Sequence, residues 1–240
     1  MESESEPRPC HNQLAVYPLK STPKVRLQKR QNHTVRDLEL VLPLAETSDR
    51  WFNPAMSRTN INREYLLAAT SGGYAYPNGT DAADTPQLNS KTIFEALQDA
   101  GITWKIYVDT EGSPCSGPPY QASCLMTLSY LQNFTYAQTV VSQYPQNIAP
   151  LSQYFSDLNN GTLPQVAEIE PASDAGEDEH PSDYDTSPEN MQTGEAHAEQ
   201  IITALMNSSA WSSSALFMST MSGAASTITF RRNRPSARTA

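Results

Sequence analysis

Residues 92–108 read Thr-Ile-Phe-Glu-Ala-Leu-Gln-Asp-Ala-Gly-Ile-Thr-Trp-Lys-Ile-Tyr-Val, and this stretch decides the fold class. Thr92 followed three residues later by Glu95 is the spelling of a capping box. Ile93, Phe94 and Leu97 then share one helical face, and Gly101 supplies the stop. From Ile102 to Val108 apolar residues alternate with mostly polar ones, the period of a strand. Outward from this unit the same succession repeats. Residues 125–158 mix Tyr, Leu and Gln as helices broken near Pro145 and Pro150. Val166 to Glu170 is a short strand. Glu195 to Met206 is an amphipathic helix carrying Ile201, Ile202, Leu205 and Met206, with His197 on its polar side. Ser213 to Met218 is a further strand. Gly112–Pro119 and the acidic Asp174–Pro188 are loops. Helices alternating with short strands predict an α/β layered fold.

Composition narrows the function classes. The chain has 240 residues and a formal net charge of −10, with a mean hydropathy of −0.53. An acidic chain lacks the basic footprint of sequence-independent nucleic-acid binding. No apolar run reaches the roughly 18 residues of a membrane span, and Met1–Pro9 does not read as a signal peptide. Charge is uneven along the chain. Residues 1–40 hold seven of the sixteen Lys and Arg, Tyr107–Phe230 hold none, and residues 168–200 carry eleven Asp or Glu. Four arginines then fall in the last ten residues. Three cysteines (Cys10, Cys115, Cys124) are too few for a disulfide scaffold. Cys115 and Cys124 either close a small loop in an oxidising compartment or stay as two thiols.

Two clusters carry candidate chemistry. In Ala69-Thr-Ser-Gly-Gly73 a hydroxyl sits beside backbone N–H groups that favour a phosphate or oxyanion, and a nearby Arg adds bidentate phosphate contacts. The same letters also spell an ordinary turn. In Glu177-Asp-Glu-His-Pro-Ser182, carboxylates beside His180 suit a divalent metal or acid–base work, or equally a solvated acidic loop.

Read in series, these stretches resemble the phosphoesterase family of bacterial phospholipase C and acid phosphatases. The carriers are Ser48-Asp-Arg-Trp-Phe52, Asn62-Arg-Glu-Tyr-Leu-Leu-Ala-Ala-Thr-Ser-Gly72, Thr92-Ile-Phe-Glu-Ala-Leu97, Gly101-Ile-Thr-Trp-Lys-Ile-Tyr107, Asp178-Glu-His-Pro181 and Trp211, in that order over about residues 42–219. The resemblance implies an alkaline-phosphatase-like sheet flanked by helices, here incomplete. It implies hydrolysis of phosphate mono- or diesters, on a small phosphoester or a phospholipid head group, with a divalent metal ion. By the same resemblance Thr70 is the nucleophile and a metal ligand, His180 stands near the phosphate, and Asn62 and Arg63 belong to the substrate site. A hydroxyl needs a metal or base to become nucleophilic, and the phosphoryl transition state needs positive charge on its oxygens.

The resemblance divides the chain into a foreign or poorly ordered segment 1–40, a partial phosphoesterase domain 41–219, and an Arg-rich tail 220–240. The family's N-terminal Glu-Asn-Arg-Ser-Phe-Asp type of segment is echoed only by Gln31-Asn-His-Thr-Val35. Its C-terminal Gly-Gly-x-Tyr-Asp-His-Val motif is absent after Met218. Moving the reading frame back one base from Met221 permits a Gly-Gly-Leu-Tyr-Asp-His-Val-Pro-Pro string, so the tail reads as frameshifted. Two functions follow: a metal-dependent phosphoesterase, or a catalytically inactive family member or acidic binding module.

Overall fold

The computed structural model describes residues 52–57, 59–75, 88–171 and 188–218. A parallel three-stranded sheet lies at the centre, in the order β2-β1-β3. The strands are β1 (Trp104–Val108), β2 (Ile148–Pro150) and β3 (Val166–Glu170). The helices are α1 (Thr59–Ala68), α2 (Ile93–Asp99), α3 (Ala122–Met126), α4 (Tyr136–Gln143), α5 (Leu151–Asn160) and α6 (Pro188–Met206). A 3-10 turn at Tyr130–Asn133 joins α3 to α4. The α/β layering expected from the sequence is present.

The unit at 92–108 forms for the reasons its letters give. The Thr92 side chain accepts the Glu95 N–H at 3.2 Å, satisfying a donor that the first helical turn leaves unpaired. At the other end Gly101 has φ +68°. There the Ile102 N–H reaches Leu97 O at 3.0 Å and the Gly101 N–H reaches Gln98 O at 3.1 Å. These two bonds are the Schellman closure, and they turn the chain straight into β1.

Strand β1 is covered on both faces, as the central strand of a parallel sheet must be. Trp104, Ile106 and Val108 enter one core with Phe94 of α2 and Val140 of α4. Tyr107 enters a second core with Tyr154 and Leu158 of α5 and Ile201 and Leu205 of α6. Lys105, on that second face, pairs with the buried Asp157 at 2.8 Å, and Tyr107 Oη donates to the same carboxylate at 2.7 Å. In register, Val108 stands beside both Pro150 and Glu170. The carboxyl ends of all three strands therefore meet at one edge, the edge where open parallel sheets place their ligands.

Three expectations are corrected. Residues 148–150, read as a break between helices, form β2: with only three residues it shows no alternation, and its pairing with β1 makes it a strand. Helix α6 begins at Pro188 rather than Glu195. Ser213–Met218 is not a strand. It opens on a 3-10 turn, Trp211–Ser213, and continues without a ladder partner among the described residues while Leu216 packs on the second core. Cys115 and Cys124 are joined as a disulfide, which settles the alternative left open above. No described helix is long and apolar enough to cross a membrane.

Candidate functional site

Helix α1 carries three of the four candidate residues or leads into them. Ile61 and Leu67 are buried and fix its inner face. The helix stops at Ala69, which has φ +57°, a left-handed conformation that costs a non-glycine residue about 1 kcal/mol. Thr70 follows, half-buried, and its Oγ1 accepts the Gly72 N–H at 3.1 Å. Ser71 is buried; its hydroxyl donates to Tyr74 O at 2.6 Å. Gly72 has φ +64°, and a Cβ there would stand 2.7 Å from Leu88 Cδ2. Two independent constraints thus require glycine at 72. The Thr-Ser-Gly-Gly string is a turn, and a turn that holds one threonine hydroxyl in a defined place.

Asn62 is 1% exposed. Its Oδ1 accepts the Ala55 N–H at 3.0 Å and its Nδ2 donates to Ser57 O at 3.4 Å. Ser57 in turn donates its hydroxyl to Ala75 O. Asn62 therefore ties the 55–57 loop to α1, and Ser57 ties that loop to the end of the Thr70 turn.

Arg63 reaches the carboxyl edge of the sheet. Its Nη1 lies 2.5 Å from Glu170 Oε2, with side-chain exposures of 18% and 3%, and its Cζ stands 4.2 Å from the Tyr130 ring centroid. Glu170 Oε1 accepts the Tyr130 N–H at 3.4 Å. Burial alone would lower the guanidinium pKa, but Glu170, Tyr130 and Glu168 together hold it above its ordinary value. Glu168 lies on the same strand face as Glu170, two residues before it. Burial pushes both carboxyls up, and Glu170 adds to the rise at Glu168. Arg63 opposes the rise in both. Burial and mutual repulsion thus favour the protonated form of the acids, and Arg63 favours the charged form.

Two further groups escaped the sequence reading. Glu64, beside Arg63, is 1% exposed, and neither of its oxygens has a hydrogen-bond partner among the described residues. Burial pushes its pKa up to about 7. His197, expected on the polar side of its helix, is buried instead, with Nε2 3.4 Å from Oδ2 of Asp109. Asp109 follows the last residue of β1, and its N–H bonds Glu170 O at 2.9 Å, so the two acidic pairs are neighbours along one sheet edge. The spacing carried the signal: His197, Ile201 and Leu205 recur every fourth residue and share one helical stripe.

The structure thus brings Asn62, Arg63 and Thr70 onto one helix and its terminal turn. His180 lies outside the described residues. The donor set for a divalent ion was tested on the same residues: among them, no group of three or more His, Cys, Asp or Glu is placed to hold a metal. Glu170 holds Arg63 instead.

The Phosphoesterase family model matches residues 31–219. Three plant relatives from Arabidopsis thaliana are similar to the chain. Non-specific phospholipase C3 is 30% identical over 185 residues, covering 72% of this chain and 29% of the relative. Non-specific phospholipase C5 is 27% identical over 168 residues, covering 68% and 27%. Non-specific phospholipase C4 is 30% identical over 172 residues, covering 68% and 26%. The chain spans less than a third of the length of these relatives. With the family model running through α1, the Thr70 turn and the whole described sheet, the chain belongs to the phosphoesterase family.

Proposed function

We propose that the chain hydrolyses phosphoric ester bonds, in the manner of a phospholipase C or acid phosphatase, with Thr70 as nucleophile. The observation that carries this reading is the Thr70 turn. A helix anchored at the carboxyl edge of a parallel sheet ends in a left-handed alanine, and a glycine that tolerates no side chain follows the hydroxyl. The Gly72 N–H occupies one lone pair of Thr70 Oγ1 and leaves the hydroxyl proton free to be removed. Attack on phosphorus then forms the Oγ–P bond and breaks the P–O bond to the alcohol, which leaves with the proton. Water next breaks the Oγ–P bond, restoring the threonine hydroxyl and releasing phosphate from a monoester or a phosphomonoester from a diester.

In this reading Asn62 and Arg63 build the substrate site by fixing the loop and helix around Thr70. His180 supplies positive charge or a proton near the phosphate. Thr70 Oγ1 is the candidate donor for the divalent ion implied by the family resemblance. The described residues add no ligand set to it, so further donors would come from outside them. The domain in this reading is 41–219, with 1–40 and the Arg-rich 220–240 not counted in it. The substrate class is a small phosphoester or a phospholipid head group, supported by the names of the three plant relatives.

The test is turnover of p-nitrophenyl phosphate and p-nitrophenyl phosphorylcholine by the full chain, with each common divalent cation added in turn. Thr70→Ala is expected to lower kcat about a thousandfold or more. A Thr70→Ala chain that works like the wild type would remove Thr70 from the chemistry.

A further inference from the structure

Glu170 is not among the residues that the sequence singles out, yet it joins the two halves of the site. Its backbone carbonyl accepts the Asp109 N–H beyond β1 at 2.9 Å, which fixes it to the end of the central strand. One side-chain oxygen accepts the Tyr130 N–H and the other holds Arg63. Arg63 is also stacked on Tyr130, so its planar head is held by two elements at once. With its guanidinium so engaged, Arg63 has its clearest effect on the helix that bears it.

We propose that Glu170 is a positioning residue for the reaction at Thr70: through Arg63 it pins α1 to the end of β3 and so sets where the Thr70 hydroxyl stands. The inference rests on the reading of Thr70 given above. Thr70 lies seven residues beyond Arg63, a lever of roughly 10 Å at about 1.5 Å of rise per residue. A tilt of about five degrees around the pin moves the far end by about 1 Å, and a misplacement of that size can cost about a hundredfold in rate. The other supports of α1 include Asn62 on the 55–57 loop and the buried Ile61 and Leu67. The Asn62 bonds run to the loop, and the Arg63–Glu170 pair is the tie to the carboxyl edge of the sheet.

The test compares Glu170→Gln with Asp157→Asn in the full chain. Asp157→Asn also breaks a buried ion pair, but on the opposite face of the sheet, against Lys105. Both variants are expected to melt earlier than the wild type. Glu170→Gln alone is expected to lower kcat on p-nitrophenyl phosphorylcholine about tenfold or more, with KM changed less than about twofold. It alone is also expected to speed amide exchange several-fold at Ala69, Gly72 and Tyr74, whose N–H groups bond Tyr65 O, Thr70 Oγ1 and Ser71 O. The exchange arm needs no turnover. Exchange in that turn no faster than in Asp157→Asn overturns the inference, as does a wild-type kcat in Glu170→Gln. Activity that survives Thr70→Ala refutes the reading of Thr70 instead, and exchange still reports whether Glu170 holds the turn.

Discussion

Glu64 makes the chain's stability fall with rising pH, and the size of the fall follows from its burial. The carboxyl is 1% exposed, with neither oxygen hydrogen-bonded among the described residues. Burial raises its pKa from an ordinary 4.5 to about 7. In the unfolded chain the proton leaves near the ordinary value; in the folded chain it stays until about neutrality. Between those limits the folded state binds one more proton than the unfolded state, so stability drops by about 1.4 kcal/mol per pH unit. The cost is absent below the unfolded pKa, reaches about 3 kcal/mol near pH 7, and stays level above it. Against a total stability of about 5–15 kcal/mol this is a large share. Glu64→Gln keeps the shape and removes the titration. Urea melts of both chains from pH 4.5 to 8, at fixed ionic strength, give the check. Glu168 and Glu170 also titrate abnormally, but they do so in both chains and cancel in the difference. The variant should match the wild type at the acid end and exceed it by about 3 kcal/mol at pH 8. Parallel curves across that range would refute the reasoning, because a buried, unpartnered carboxylate cannot be free of cost.

Three other outcomes are expected. Burial works against the Asp157 carboxylate, but bonds from Lys105, Tyr107, Gln153 and Thr162 outweigh it and hold its pKa at about 2. Its stabilisation is therefore complete above the ordinary value of 3.8 and lost as pH falls through 2, about 2 kcal/mol in all; the melting-point gap between wild type and Asp157→Asn should narrow over that window. Gly72→Ala meets both a positive φ and a 2.7 Å approach to Leu88, so it should lower stability by about 1–3 kcal/mol in a urea melt, and a neutral effect would mean that Leu88 yields. Unreduced chain unfolded in denaturant should show one reactive thiol with Ellman's reagent, Cys10, since Cys115 and Cys124 are bonded. Opening that nine-residue separation by Cys115→Ser with Cys124→Ser should cost about 2–3 kcal/mol.

What the sequence made legible is what short stretches determine by themselves. The N-cap at Thr92, the stop at Gly101 and the strand ending at Val108 each depend on neighbours within four residues, and each is present. Strand β2 depends instead on β1, some forty residues earlier: Ile106 pairs Ile148, and nothing within Ile148–Pro150 announces it. Ser213–Met218 fails from the other side. Its letters suit a strand, but a strand exists only where a ladder partner does, and here the segment lays Leu216 on the second core without one.

The site divides along the same line. The string from Asn62 to Gly72 gave the Asn62-Arg63 pair and the turn because they are contiguous; the helix α1 that carries the pair comes from the structure. The partners of that helix are not contiguous: Glu170 lies 107 residues from Arg63. In the sequence Glu168 and Glu170 open a run of eleven acids and fall in the short strand read at Val166–Glu170, where they stand two apart. A strand aims residues i and i+2 at the same side. Val166 of that side packs on the first core and Ile169 of the other side packs on the second, so both acids turn toward the layer that holds α1. Two carboxylates directed into such a layer require a cation or a proton. Among the described residues Lys91 pairs with Asp99 on the surface and Lys105 with Asp157 across the sheet, which leaves Arg63 of the described Lys and Arg for this face, in keeping with strand period and charge balance.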